Sequence, residues 1–294
     1  MKKLFSFLLP LLLCSNVFSQ NVSKKVIAEY EDTLKVMAHG IMNGETEEQR
    51  REFHNGFIKE LEEVLHYKQS FRYPFDSLIT ISCLTSGDNK FRLFNWILKL
   101  DNGKYQYFCL VQIPNKKKNE NKIIHLTDNS ENIRVPETEK LDQNNWYGAL
   151  YYDIVYIKKK GRQYYTLLGW DGNDGFSTKK IIDVMHFAGR NIKFGHPIFR
   201  SKKQVTNRVI VEYDSKTSVS VKYHEKGKQI VMDHLVPVKK ILEGLHEYYV
   251  PDGTYDAYIY NNGKWEHKEN IDIGIKEKSP PKIKKKNQKG LLPR

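Results

Sequence analysis

The sequence predicts an α+β protein: an N-terminal helical hairpin, then a mostly antiparallel β-rich domain with one short inserted helix. Three observations carry this. Apolar residues from Val26 to Leu65 recur at helical spacing. After Tyr73-Pro74 the period changes to two, the signature of half-buried strands. Asp101-Asn102-Gly103 and Asn261-Asn262-Gly263 then supply the positive-φ residues that tight hairpins require.

Met1-Lys2-Lys3, the apolar run Leu4 to Leu13 and the step to Val17-Phe18-Ser19 read as a signal peptide cleaved after Ser19. The run is too short to span a bilayer. Leu13 stands where a lipoprotein signal needs a small residue before Cys14, so a lipid anchor is disfavoured. The expected compartment is the periplasm, the outer membrane surface or the exterior.

Residues 20–70 form the predicted helical hairpin. Val26, Ile27, Tyr30, Leu34, Met37 and Ile41 share one helix face, and Asn43-Gly44 ends it. Thr46 with Gln49 makes a capping box for a second helix, lined by Phe53, Phe57, Ile58, Leu61, Val64 and Leu65. Its apolar face suits packing on the protein's own sheet better than a docking stem or dimer contact.

Residues 71–275 form the β-rich domain. Ile79, Ile81 and Cys83 alternate on a first strand, Phe94, Trp96, Leu98 and Leu100 on a second, and Tyr105, Tyr107, Cys109, Val111 and Ile113 on a third. On the outer strands of a meander, Cys83 and Cys109 would lie about 9–10 Å apart, beyond disulfide reach, so two free thiols are expected. The polar stretch 114–145 reads as a mobile connection with one short strand at 123–126. His125 and Asp128 are possible metal ligands there, though no third ligand adjoins them.

The densest stretch runs from Trp146 to Phe187. Residues 147–157 and 163–169 form a hairpin, and Asp171-Gly172-Asn173-Asp174-Gly175 stops its second strand. Ser177 or Thr178 would cap the short helix carrying Ile181, Ile182, Val184, Met185 and Ala188. Asp171, Asn173 and Asp174 offer hard oxygens suited to Ca²⁺, but the EF-hand pattern fails at Gly175, Phe176 and Ile182, which favours a structural turn. Trp146, Tyr151 and Trp170 are candidate platforms for sugar rings, although ordinary core packing is the favoured reading.

Further strands are expected at 191–199, 208–213, 218–223 and 229–235, and a last hairpin at 255–267. Asp233, His234, Asp252 and Asp256 fall in turns between them. A histidine near neutrality with an orienting carboxylate can serve as general acid and base, provided the fold makes them converge. Asp233 and His234 are adjacent on a strand and would point to opposite faces, which weakens them as a pair.

The net charge of +13 is uneven: residues 276–294 carry eight Lys or Arg against Glu277, and residues 20–275 hold only +4. That terminal segment reads as a disordered basic tail, able to touch lipid phosphates or other anionic surfaces. Export and the missing basic-aromatic stripe argue against nucleic-acid binding.

L-L-G-W-D-G-N-D-G-F-S-T-K-K-I-I-D-V at 167–184, D-H-L-V-P at 233–237 and Y-V-P-D-G-T-Y-D-A-Y at 249–258 resemble segments of a secreted protein family of Bacteroidetes-type bacteria with no assigned activity. The resemblance implies an exported bacterial protein and transfers no catalytic residue. No G-x-S-x-G, H-E-x-x-H, P-loop or C-x-x-C signature occurs. The favoured function is a non-enzymatic envelope protein that binds an envelope protein or glycan and needs no cofactor. The alternatives are an envelope glycan or peptide hydrolase, which would also draw on Asp171 and Asp174, and a calcium-stabilised carbohydrate-binding module.

Overall fold

The computed structural model describes residues 22–115, 117–158, 161 and 163–272. The expected leader 1–19 and basic segment 276–294 lie outside the described residues. The described chain stacks in four layers, one helical hairpin and three sheets.

The hairpin comprises α1 (Lys24–Asn43) and α2 (Glu47–His66). Thr46 caps α2 as expected, accepting from the Gln49 amide at 3.2 Å, while the Gln49 side chain accepts from the Glu45 amide at 3.0 Å. Ile27, Leu34, Ile41, Phe57, Leu61, Val64 and Leu65 pack against Phe94, Trp96 and Leu110 of the first sheet. The hairpin therefore shares the core of the β-domain. No helix among the described residues is long and apolar enough to cross a membrane.

The first sheet is the meander β1 (Ser82–Thr85), β2 (Arg92–Lys99), β3 (Tyr105–Pro114) and β4 (Asn121–Leu126). Its two faces belong to two cores: Phe94, Trp96 and Leu110 face the helices, and Leu93, Tyr107, Cys109 and Val111 face the second sheet. Ile79 corrects the first-strand reading; it sits before β1 and is 88% exposed. Cys83 and Cys109 lie on the outer strands of the β1-β2-β3 order and are free thiols, and burial pushes the Cys83 thiol up to about 12.

The second sheet holds β5 (Leu141–Asp142), β6 (Leu150–Tyr156), β7 (Tyr165–Asp171), β8 (Ser177–Ala188), β9 (Asn191–Phe194) and β12 (Val209–Asp214). The expected helix after Gly175 is β8, a twelve-residue strand. Its apolar residues are buried on both faces: Ile181 and Met185 join the core toward the first sheet, Ile182 and Val184 the core toward the third. A strand covered on both sides shows no alternation, and its i, i+1, i+3, i+4 pattern imitates a helix. Ser177 and Thr178 accordingly cap nothing.

The third sheet is ordered β11 (Val205–Thr206), β10 (Phe199–Arg200), β16 (Lys264–Lys268), β15 (Tyr249–Asn261), β14 (Gln229–Pro237) and β13 (Val221–His224). Phe199, Ile230, Tyr258 and Trp265 close the core against the second sheet, and Trp265 Nε1 donates to Thr166 Oγ1 at 3.1 Å across the layers. The β15–β16 turn has positive φ at Asn262 and Gly263, as the sequence requires. Part of the stretch 114–145 expected to be mobile is tied down: beyond β4 and β5, Pro136 and Thr138 give their carbonyls to Arg208 and Asn207.

Candidate functional site

A cleft of about 640 Å³ opens where the first and second sheets diverge, between the start of β3, the segment after β4 and the β7–β8 turn. Its walls include Tyr105, Asp128, Asn132, Asp171, Asn173 and Asp174. Tyr107 organises it. The phenol donates to Asp171 Oδ1 at 2.7 Å and accepts the Gly172 amide at 2.8 Å, while the Tyr107 amide donates to Asp128 Oδ2 at 3.2 Å. One residue of β3 thus fixes a carboxylate on each side of the opening.

Both carboxylates are occupied by the chain itself. Asp171 Oδ1 also accepts the Asn173 amide at 2.8 Å, and Asp128 Oδ1 accepts the Ser130 amide at 3.1 Å and its hydroxyl at 2.5 Å. Burial pushes the Asp171 carboxyl up, against the downward pull of Tyr107, the Asn173 amide and Lys179. Two glycines permit the close approach: a Cβ on Gly148 would fall 2.5 Å from the Asp128 carboxyl, and one on Gly172 would fall 2.3 Å from the Tyr105 ring. Asn173 adopts φ +47 and offers Oδ1 to Lys179 Nζ at 2.8 Å. Asp174 accepts the Phe176 and Ser177 amides at 3.0 and 3.2 Å, closing the turn.

Of the expected sugar platforms, Trp146 and Tyr151 are corrected. Both are 0% exposed, and Trp146 Nε1 donates to the Tyr151 phenol at 2.9 Å, so neither ring can meet a ligand. Trp170 is partly exposed and packs edge-on to Tyr105, ring centroids 5.4 Å apart, so it backs the ring that lines the cleft. His125 and Asp128 are not a ligand pair: His125 bonds Glu62, and Asp128 belongs to the cleft. Among the described residues no group of three His, Cys, Asp or Glu side chains is placed to hold a metal ion.

In the third sheet a separate group forms around Asp256. A register irregularity between Asp233 and Leu235 places His234 on a bulge, and its Nδ1 lies 3.0 Å from Asp256 Oδ2. His267, which the sequence reading missed, approaches the same oxygen at 3.4 Å from β16. Asp233 turns away to accept the Ser220 amide at 2.7 Å, as adjacency on a strand implied. Asp252 is exposed and accepts the Thr254 amide and hydroxyl at 2.9 and 2.7 Å. His234, His267 and Asp256 thus form one small polar group on the third sheet.

Its electrostatics are nevertheless distinct. Burial opposes ionisation of Asp256, but His267, His234 and the Asn270 amide hold its carboxyl down to about 2. The bond to Asp256 raises His234, against the opposite effect of burial. A histidine raised in the folded state stabilises fully below its unfolded value, near 6.5, and that contribution vanishes as pH rises through the folded value. The melting temperature of His234→Ala is therefore expected to fall further below wild type at about pH 5.5 than at about pH 9. A deficit independent of pH would show that packing alone holds His234.

No protein-family model, curated protein or solved structure matches the chain.

Proposed function

We propose that this chain is an exported cell-envelope protein that binds a hydroxyl-rich ligand, a glycan, in the cleft between its first and second sheets and does not cleave it. The observation that carries the reading is the cleft's wall: the Tyr105 ring, backed by Trp170, beside the planar polar side chains of Asn132, Asn173 and Asp174. An aromatic face with amide and carboxylate groups around it suits a pyranose, whose apolar face stacks while its hydroxyls exchange hydrogen bonds at the rim. Binding without cleavage is favoured because Asp128 and Asp171 already accept donors from their own loops, leaving neither poised as a base. Export rests on the basic and apolar pattern of residues 1–19, and segment 276–294 would add contacts to an anionic surface.

The test is an array of immobilised peptidoglycan and envelope-polysaccharide fragments, with hits remeasured by calorimetry. Tyr105→Ala and Asn132→Ala are each expected to weaken binding by about tenfold, the effect of losing one stacked ring or one good hydrogen bond. Unchanged affinity in both variants would place the ligand elsewhere. Shortened fragments appearing in mass spectra of the incubated glycan would establish the hydrolase instead, with Asp171 and Asp174 as the first residues to replace.

A further inference from the structure

A second opening, of about 900 Å³, lies on the side of the molecule formed by three turns and the β3–β4 ends. Its floor is apolar, made by Ile113, Pro114, Phe187 and the buried ring of Tyr165. Phe187 packs edge-on to Phe91 at 5.6 Å and Tyr165 at 6.3 Å, so the floor is held by the core. The rim is cationic, with exposed Lys90, Lys122 and Arg190. Exposed Lys117 and Lys118 follow Pro114 in the chain, and exposed Lys158 precedes Gly161, another lining residue.

Among the described residues the rim's charge is not internally cancelled. Asp88 is the acid in the lining, and it is spent: its carboxylate accepts Tyr165 Oη at 2.9 Å and Ser86 Oγ at 2.9 Å and pairs with Lys90 at 3.1 Å. Those partners hold its carboxyl below the usual range although burial works against them. Lys122 Nζ donates to the neutral carbonyl of Arg190, at 3.3 Å. Among the described residues neither Lys122 nor Arg190 forms an ion pair with an acid. An apolar hollow edged by two uncompensated cations complements a ligand of the opposite design, with an apolar body and an anionic head.

We propose that this pocket is a second binding site, separate from the inter-sheet cleft, for an amphiphile with a phosphate or carboxylate head group. The apolar body lies over Phe187, Pro114 and Ile113, and the head group meets Lys122 and Arg190. The basic concentration at this rim belongs to the folded body, so it does not depend on the segment after residue 275.

Calorimetry on the full chain below the micelle concentration tests this with three probes: dodecyl phosphate, dodecyl maltoside and inorganic phosphate. Dodecyl phosphate is expected to bind at least about tenfold more tightly than either of the others. The paired replacement Lys122→Glu with Arg190→Glu is expected to weaken it by about tenfold or more, and Lys122→Gln with Arg190→Gln by less. Both pairs lie on exposed positions, and far-UV circular dichroism checks that the fold is kept. Equal affinity for the maltoside would overturn the proposal by removing the role of charge. Equal affinity for inorganic phosphate would overturn it by removing the role of the floor. Unaltered binding in the charge-reversed variant would also overturn it, placing the anion contact on another basic segment.

Discussion

Arg208→Ala is expected to destabilise the protein by about 3–5 kcal/mol, the usual consequence of breaking a buried ion pair from one side. Arg208 and Asp183 are both 0% exposed, and Nε meets the carboxylate at 2.7 Å. Arg208 also donates to the Pro136 carbonyl, and its guanidinium lies 5.8 Å from the centre of the Tyr147 ring. Alanine would leave the Asp183 carboxylate buried with only backbone amides, those of Val184 and Gly195, as donors, and would release the 136–138 segment. The melting temperature should drop by roughly 6–20 °C at the scale typical of a domain this large. Replacing both partners, Arg208→Met with Asp183→Asn, should cost much less, because no charge is then left stranded. A single-variant loss below about 1 kcal/mol would mean that water reaches Asp183 and that the pair does not behave as a buried one.

Tyr107→Phe is expected to cost about 2–4 kcal/mol, an unusually large effect for removing one oxygen. The phenol serves two buried groups at once, donating to Asp171 and accepting from the Gly172 amide. Phenylalanine leaves the Gly172 amide without its acceptor and Asp171 with only the Asn173 amide, and the turn that carries Asn173 and Asp174 into the cleft loses its anchor to β3. Glycan affinity should therefore fall with stability. Asp171→Asn is the informative control: an amide oxygen can still accept from Tyr107 and the Asn173 amide, so it should be milder by chemical denaturation. If Tyr107→Phe proves no worse than Asp171→Asn, the phenol is not what organises the cleft.

The hairpins, the meander and the helical pair were legible because their apolar residues sit on one face and their turns need specific φ angles. What escaped was whatever depends on being covered twice. β8 has layers on both sides, so Ile181, Ile182, Val184 and Met185 lose the alternation that marks a strand. For Trp146 and Tyr151 core packing was the favoured reading and their burial agrees with it, but the platform alternative stayed open for the same reason: an aromatic-rich stretch reads alike whether one layer or two will close over it. Asp171, Asn173 and Asp174 were singled out as a loop, but their partner Asp128 lies far away in the sequence and only the β3 register brings it near. His267 was recoverable. The Asn262-Gly263 turn sets Tyr258 opposite His267, and Asp256, two residues before Tyr258, shares that face.

In the third sheet β16 lies between β15 and β10, although it is the last of the described strands. Its parallel pairing brings Phe199 beside Trp265, whereas the meander of the first sheet joins only sequence neighbours. During folding the short β10–β11 ribbon must therefore wait, unpaired along one edge, until residues 264–268 reach it. Contacts so distant in sequence form late and slowly. The first sheet with its helices can collapse early, while the third sheet closes as a final step, and a chain halted just before Lys264 would expose an open edge suited to intermolecular pairing.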